Sequence, residues 1–226
     1  MKKHLLVLAA LAAASGAVHA QNVYGGLGLP GLVTLGYSEQ MGSGWNIRGE
    51  YAGGLSIDKD GVQDGVTATG SLKAERAGVY ADWYPFNGGF RMVGGVSFND
   101  IKLNLNATSS PLTISTINGK TVNMAGQVFN VNVNFPSVTP YIGIGYGHHF
   151  STVKGLGFYA DLGVLIGTFN TEVATSLLDP TSGPKDINGN LLVTKADIDA
   201  QTQTMRDSIG SYSVLPSFSL GLTYEF

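Results

Sequence analysis

The sequence predicts an all-β protein. The expected fold is an eight-stranded antiparallel transmembrane β-barrel, an up-and-down meander with extended extracellular hairpins and one short helix before the last strand. Three observations predict it. The N-terminus has the pattern of a secretory signal peptide. Apolar and polar residues alternate with period two along several long segments. The connectors between these segments are alternately short and long, as in outer-membrane barrels.

The composition of the chain excludes several classes of function. The 226 residues include no cysteine, which rules out a disulfide framework, a thiolate zinc site and a cysteine nucleophile. Charged residues make up only 13%, and 13 Lys and Arg against 16 Asp and Glu leave a net charge of −3. A chain without a basic excess is not expected to bind nucleic acid. We also expect no metal site and no cofactor.

Residues 1–20 are expected to be a cleaved signal peptide, which leaves 21–226 as the barrel. Lys2 and Lys3 make the start of the chain basic, and an apolar run follows over 5–14. Residues 18–20 end in Ala20, the small residue expected before a cleavage site. An apolar run of this length is too short to cross a bilayer as a helix. Export combined with alternating segments favours the outer membrane of a Gram-negative bacterium.

Seven long segments carry the alternation, and parity requires an eighth strand. The segments are 22–40, 45–57, 66–84, 90–106, 130–149, 156–175 and 208–226. Single-chain bacterial barrels have an even number of strands. Pro30 cannot donate a hydrogen bond within a ladder, so we divide the first segment into strands 22–28 and 32–40. A secreted β-sandwich would alternate similarly, but the pattern of connector lengths argues against it.

Connector length predicts the orientation of the barrel. Short connectors at 41–44, 85–89 and 151–155 are expected in the periplasm, and long ones at about 58–66, 107–129 and 176–207 outside the cell. The apolar set that is expected to face outward changes phase within two segments. It moves from Phe90–Phe98 to Ile101–Leu105, and from Val131–Phe135 to Ile142–Tyr146. A β-bulge in each segment would produce this change.

The long connectors carry signals of local structure. The acidic stretch 58–65 lacks the closing bidentate Glu of a calcium loop and is expected to form a surface hairpin turn. Asn118-Gly119 is typical of a type I′ turn and predicts a hairpin within 107–129. Thr194 and Asp197 form a capping box for a helix ending near Asp207. This polar helix is expected to lie over the barrel or a hairpin.

The charged residues of the strands are expected on the inner face. The expected lumen charge cluster is Arg48, Glu50, Arg76, Asp82, Arg91, Asp161 and Glu225. Asp82 and Arg91 flank a short turn, which predicts a cross-strand pair. The cluster either plugs the narrow lumen with salt bridges or forms a charged constriction that sorts small solutes. Locking of all three arginines with Glu50, Asp82 and Asp161 across one section would favour the plug.

Aromatic residues gather near the periplasmic strand ends. The expected aromatic girdle is Trp45, Trp83, Tyr84, Phe90, Tyr146, Phe150, Tyr224 and Phe226. Such rings prefer the membrane–water interface, so outer-membrane lipid is an expected partner. His148 and His149 lie beside a periplasmic turn with Ser151, where no carboxylate orients an imidazole. We therefore expect no catalytic residues, and a lipid-modifying enzyme is the weakest alternative.

Two features of the chain resemble known outer-membrane proteins. The alternating last strand ends at Phe226, which resembles the signal read by the barrel-assembly machinery, an expected partner. The runs Ala81-Asp82-Trp83-Tyr84-Pro85 and 140–145, with the polar helix, resemble small proteobacterial outer-membrane proteins of the carbapenem-associated, ornithine-uptake porin group. The resemblance implies a narrow passive channel for small hydrophilic solutes, with basic amino acids among them. The alternative is a non-conducting structural or adhesin-like barrel with a plugged lumen.

Overall fold

The computed structural model describes residues 21–63, 66–109, 114–148, 154–210 and 213–226. The expected signal peptide, and likewise His149, Phe150 and Ser151, lie outside the described residues. The strands are β1 (Gln21–Leu29), β2 (Val33–Gly42), β3 (Trp45–Gln63), β4 (Val66–Trp83), β5 (Phe90–Ser109), β6 (Ile114–Ile117), β7 (Lys120–Asn123), β8 (Val128–Asn134), β9 (Val138–Tyr146), β10 (Gly155–Ile166), β11 (Asn170–Thr175) and β12 (Val214–Glu225). One 3₁₀ turn (Ser176–Leu178) and one α-helix, α1 (Lys195–Gly210), complete the described elements.

Eight strands form a closed antiparallel ring in the order β1-β2-β3-β4-β5-β9-β10-β12. The ring closes at β1, where Asn22 lies opposite Ser38 of β2 on one side and opposite Glu225 of β12 on the other. The eight-stranded fold is therefore confirmed. The division of the first segment is also confirmed, because β1 ends before Pro30 and β2 begins after it. Both ends of the described chain lie at the end of the barrel with the short turns, which is the periplasmic end.

The two predicted β-bulges are wrong. β5 pairs with β4 in unbroken register. Its pairings with β8 and β9 share one register, with Lys102 opposite Asn134 and Phe98 opposite Val138. Ile101, Val133 and Phe135, expected outside, are buried. The pleat continues through both segments, but the barrel interior changes from charged to apolar toward the extracellular side. Register shifts occur instead in the pairings of β2 with β3 and of β3 with β4.

The outer surface of the ring is apolar. Its exposed side chains include Val23, Leu27, Leu35, Met92, Val96, Ile142, Ile144, Leu162, Leu220 and Leu222. Charged side chains of the same strands are buried inside. A water-soluble protein has the opposite arrangement, whereas an outer-membrane barrel places an apolar band against lipid. The described residues contain no helix that is both long enough and apolar enough to cross a bilayer.

An extracellular sheet rises above the ring. It consists of the outer parts of β3, β4 and β5, followed by β8 and β11. The stretch 58–65, expected to be a turn, mostly continues the strands, since β3 runs to Gln63 and β4 begins at Val66. The β6–β7 hairpin is confirmed. Its turn residues Asn118 and Gly119 both have positive φ, as a type I′ turn requires.

The α1 helix packs on this hairpin. It begins after Thr194, whose hydroxyl accepts a hydrogen bond from the Asp197 backbone N–H, so the predicted capping signal is confirmed. A separate apolar core holds the helix in place. Its buried members are Ile117, Val122, Met124, Leu177, Val193 and Ile198. The helix therefore belongs to an extracellular unit with its own core.

Asp197 links α1 to the β6–β7 hairpin, and its neutralisation is expected to loosen both. Its carboxylate accepts hydrogen bonds from Lys120 (2.6 Å), Asn118 (3.0 Å) and Thr194. The lysine ammonium and the Thr194 N–H hold the pKa of Asp197 well below its usual range. In Asp197→Asn we expect amide hydrogen exchange in 114–124 and at the start of α1 to become about fivefold faster at neutral pH, as for a lost helix cap.

The pH dependence follows from the same contacts. A depressed pKa means that the carboxylate stabilises the unit above the ordinary pKa of aspartate, and that this stabilisation is lost as pH falls through the lowered value. The protection factors of the wild-type amides, that is their exchange rates relative to the intrinsic rates at each pH, should therefore fall only in strong acid, while those of the variant should not change there. Asp199→Asn is the control, because Asp199 forms an exposed pair with Lys195. Equal acceleration in both variants would contradict the assigned role of Asp197.

Candidate functional site

Six of the seven residues of the expected lumen charge cluster form one connected network inside the ring. The network contains Arg48, Glu50, Arg76, Asp82, Arg91 and Asp161. All six side chains are at most 4% exposed. Three cations and three anions give the network no formal charge. Buried charges are tolerated when they are paired in this way.

Arg48 is the centre of the network. Its guanidinium donates to both carboxylate oxygens of Asp82, at 3.1 and 3.3 Å. Its Nη1 also donates to Glu50 at 2.9 Å and to Asp161 at 3.2 Å. The guanidinium carbon lies 4.9 Å from the ring centroid of Tyr80. One arginine therefore contacts all three acidic residues and stacks on an aromatic face.

The contact between Arg48 and Asp161 crosses the full width of the barrel. Arg48 lies on β3 and Asp161 on β10, and these strands are four positions apart in the eight-membered ring in either direction. A 3.2 Å salt bridge therefore spans the lumen from one wall to the opposite one at that level. An eight-stranded barrel is only just wide enough for side chains to fill it.

The other two arginines complete the network on either side. Arg76 donates to Glu50 at 2.7 Å. Arg91 lies 3.5 Å from Asp82 and donates to Asp161 and to the carbonyl of Gly147. The structure thus brings Asp82 and Arg91 together, as expected from the turn between them. Every arginine of the network has a carboxylate partner across the lumen or on a neighbouring strand.

Tyrosine rings packed against glycines fill the remaining space. The Tyr24 ring lies against Gly36, and the Tyr159 ring lies against Gly26 and Gly221. Tyr24 also donates its hydroxyl hydrogen bond to Glu50 at 2.9 Å. Sequence reasoning did not place Tyr24 in the site, although the period-two pattern of β1 puts it on the inner face. A glycine opposite an inward tyrosine is the signal that would have found it.

An apolar layer covers the network on the extracellular side. Its buried members are Ala74, Tyr80, Val93, Ile101, Phe135, Tyr141 and Leu165. Half-buried Leu55, Phe169 and Leu215 pack against it. The side chains of the ion pairs beside this layer are almost fully buried. In such a low-dielectric setting, charge–charge attraction is stronger than in water.

Tyr84 and His148 close the periplasmic end of the lumen. Tyr84 was expected in the aromatic girdle, but it is buried and donates to the His148 carbonyl at 2.7 Å. β4 ends at Trp83, so Tyr84 no longer follows the alternation of the strand and its side chain turns into the lumen. The His148 ring, expected in a girdle or turn, packs between Tyr24 and Tyr159, with ring centroids 4.2 and 4.5 Å away. It does not lie at the extracellular rim, where a lipid-modifying base would be needed.

Glu225 is the seventh residue of the expected lumen charge cluster. It lines a pocket of about 360 Å³ at the periplasmic end with Asn22, His148 and Lys154. The sequence placed this residue inside correctly, since it is 7% exposed. On β12 it lies opposite Asn22 of β1 on one side and opposite Gly155 of β10 on the other.

The remaining girdle residues that the structure describes are exposed on the outer surface near the periplasmic end. They are Trp45, Trp83, Phe90, Tyr146, Tyr224 and Phe226. Trp45 and Trp83 lie opposite each other on β3 and β4, with ring centroids 6.1 Å apart. Phe86, which the sequence reasoning missed, is exposed in the turn beside Phe90. The placement suits side chains at a membrane interface.

The closed ring, the apolar outer surface and the charged interior define the class of this protein as an integral outer-membrane β-barrel. Among solved structures, the chain is similar to CarO2 of Acinetobacter baumannii, with a TM-score of 0.58 and 18% identity over 92% of this chain and 99% of that one. CarO of the same organism gives a TM-score of 0.55 and 17% identity over 92% and 97%. These likenesses show a shared fold. No family model matches the chain, and a search of curated proteins finds no match.

Proposed function

We propose that this protein is a closed outer-membrane barrel that acts through its extracellular unit and does not conduct solutes through its lumen. The single observation that carries the proposal is the salt bridge between Arg48 and Asp161, which joins opposite walls of the barrel. The expected passive channel needs a continuous aqueous path. The lumen is instead occupied by a paired ionic network under an apolar layer.

The energetics of the buried ion pairs favour a permanent plug. Opening a path would separate Arg48 from Asp161 and Asp82 while the apolar layer still shields them from water. Breaking a buried pair by removing one partner costs about 3–5 kcal/mol, and this network has several coupled pairs. A basic amino acid would also have to compete with three arginines for the same carboxylates. The plugged barrel named among the alternatives is therefore the better interpretation.

Single-channel recording in planar bilayers tests this proposal. We expect the refolded wild-type chain to insert without conductance steps, and ornithine, glutamate and a neutral sugar to leave the current unchanged. The matched control is Arg48→Ser combined with Asp161→Ser, which removes the bridge across the lumen and keeps the network electrically neutral. We expect this variant to show small steps. Steady conductance of the wild-type chain with cation preference would contradict the proposal and restore the channel hypothesis.

A further inference from the structure

The outer part of β3 is an open sheet edge on the extracellular side. β2 pairs with β3 only as far as Gly53, opposite Val33. Beyond that point, β4 is the only strand of the described residues that pairs with Leu55–Gln63. Alternate residues of an antiparallel strand direct both backbone polar groups to the same side, so half of this segment presents its N–H and C=O groups away from β4. From Ser56 to Val62 every side chain is exposed.

The opposite edge of the same sheet is covered. β11 is the last strand on that side, and α1 packs along it. Arg206 of α1 donates two hydrogen bonds to the backbone carbonyl of Thr171, at 3.0 and 3.1 Å. Covering an edge in this way prevents another strand from pairing with it. Only one of the two edges has such a cover among the described residues.

The open edge carries two carboxylates on one face. Asp58 and Asp60 are two residues apart on a strand, so they point to the same side of the sheet. The residues opposite them on β4 are the uncharged Ser71 and Thr69. Within the described part of the chain, neither carboxylate forms an ion pair. On this face the edge therefore combines outward-directed backbone groups with two carboxylates, while Lys59 points to the other face.

A second copy of the chain is a poor occupant of this edge. Twofold antiparallel pairing of the whole segment is centred on residue 59, which places Lys59 opposite Lys59 of the second copy. The same pairing places Asp58 opposite Asp60 of the second copy. Like charges directly opposite each other destabilise a strand pair. Charges at an edge are a common protection against self-association.

We infer that this edge binds an extended basic polypeptide segment by β-strand addition. Main-chain hydrogen bonds to Leu55–Gln63 would supply affinity. Lysine or arginine residues at every second position of the partner would face Asp58 and Asp60 and supply specificity. The inference deepens the proposed function, because it names the kind of partner that the extracellular unit takes.

The test is fluorescence anisotropy with the full chain in phosphatidylcholine nanodiscs. The probe is a labelled peptide of alternating lysine and threonine, about as long as Leu55–Gln63. A second probe has the same sequence and charge but carries N-methyl groups on alternate backbone nitrogens. The first peptide should bind saturably, and the second should not bind because it cannot form the ladder. In Asp58→Asn with Asp60→Asn, we expect the Kd to rise about tenfold, a loss of about 1.4 kcal/mol.

The control variant removes two exposed carboxylates elsewhere, Asp199→Asn with Asp207→Asn on α1, and should bind as the wild type does. Equal binding of the N-methylated peptide, equal loss in the control variant, or no saturable binding would overturn the inference. A concentration-dependent dimer that the peptide does not dissociate would assign the edge to a second copy instead. If bilayer recordings show no conductance and the peptide does not bind, the inference of a basic partner is wrong. The proposal of a closed, non-conducting barrel then still holds.

Discussion

Replacing Arg48 with methionine is expected to reduce the free energy of unfolding by about 3–5 kcal/mol, the cost of removing one partner from a buried ion pair. Arg48 contacts Glu50, Asp82 and Asp161 at once, and its side chain is 2% exposed. Its removal leaves three buried carboxylates with only Arg76 and Arg91 as partners. Methionine retains most of the side-chain volume, so the loss reports charge rather than a cavity. Guanidinium unfolding of the refolded barrel in detergent, followed by tryptophan fluorescence, measures it.

Two matched variants make the Arg48 result interpretable. Arg48→Met combined with Asp82→Leu keeps the network neutral and should recover most of the lost stability, because replacing a buried pair with apolar residues is often close to neutral. Lys73→Met removes a lysine that is 46% exposed and pairs with Asp100. Its loss should cost less than about 1 kcal/mol. A single variant Arg48→Met as stable as Lys73→Met would show that the network contributes nothing.

Gly26→Ala is expected to destabilise the barrel by roughly 1–3 kcal/mol, as overpacking does. Gly26 lies directly opposite Gly221 on the inner face, and the Tyr159 ring occupies the space above both. A Cβ at Gly26 would lie 2.8 Å from the Cα of Gly221 and closer still to the Leu220 carbonyl. Backbone atoms of a closed ring cannot move aside cheaply. Unfolding midpoints in guanidinium measure the loss.

The neighbouring glycine provides the control for this prediction. A Cβ at Gly25 would point outward and meet first the Leu35 side chain, at 3.2 Å from its Cδ2. That side chain faces lipid and can change rotamer, so Gly25→Ala should stay within about 0.5 kcal/mol of the wild type. Equal destabilisation by both alanines would mean that the strand tolerates no side chain in general. The close approach of Tyr159 would then not be the cause.

Seven strand segments and the inward placement of the charges followed from alternation alone. A β-strand directs successive side chains to opposite faces, so the pattern around Arg48 and Glu50 assigned both to the interior without knowledge of any partner strand. Parity and Pro30 then gave the eighth strand, which the structure confirms. Local signals also sufficed for the hairpin turn at Asn118 and the start of α1 at Thr194, because these depend on neighbours in sequence.

Alternation assigned residues to the wrong face where the interior of the barrel is apolar. Ile101 and Phe135 read as lipid-facing because hydrophobic residues were assumed to point outward. Both belong to the apolar layer beside the ion pairs. They lie opposite each other, Ile101 on β5 and Phe135 directly after β8. The hydrophobicity of a side chain shows that it avoids water. In a membrane barrel, both the lipid outside and a packed apolar interior provide such a water-free environment. Tyr84 was misassigned for a related reason, since an aromatic residue at a strand end suits either the girdle or the lumen.

The sequence by itself determined eight alternating strands and a charged inner face, since each of these depends on period, parity or short-range chemistry. Only the tertiary structure decided that the charges meet across the lumen. Arg48 and Asp161 are 113 residues apart in sequence and lie on opposite walls. Their contact depends on the diameter and register of a closed ring, which arise from all eight strands together and from no local pattern.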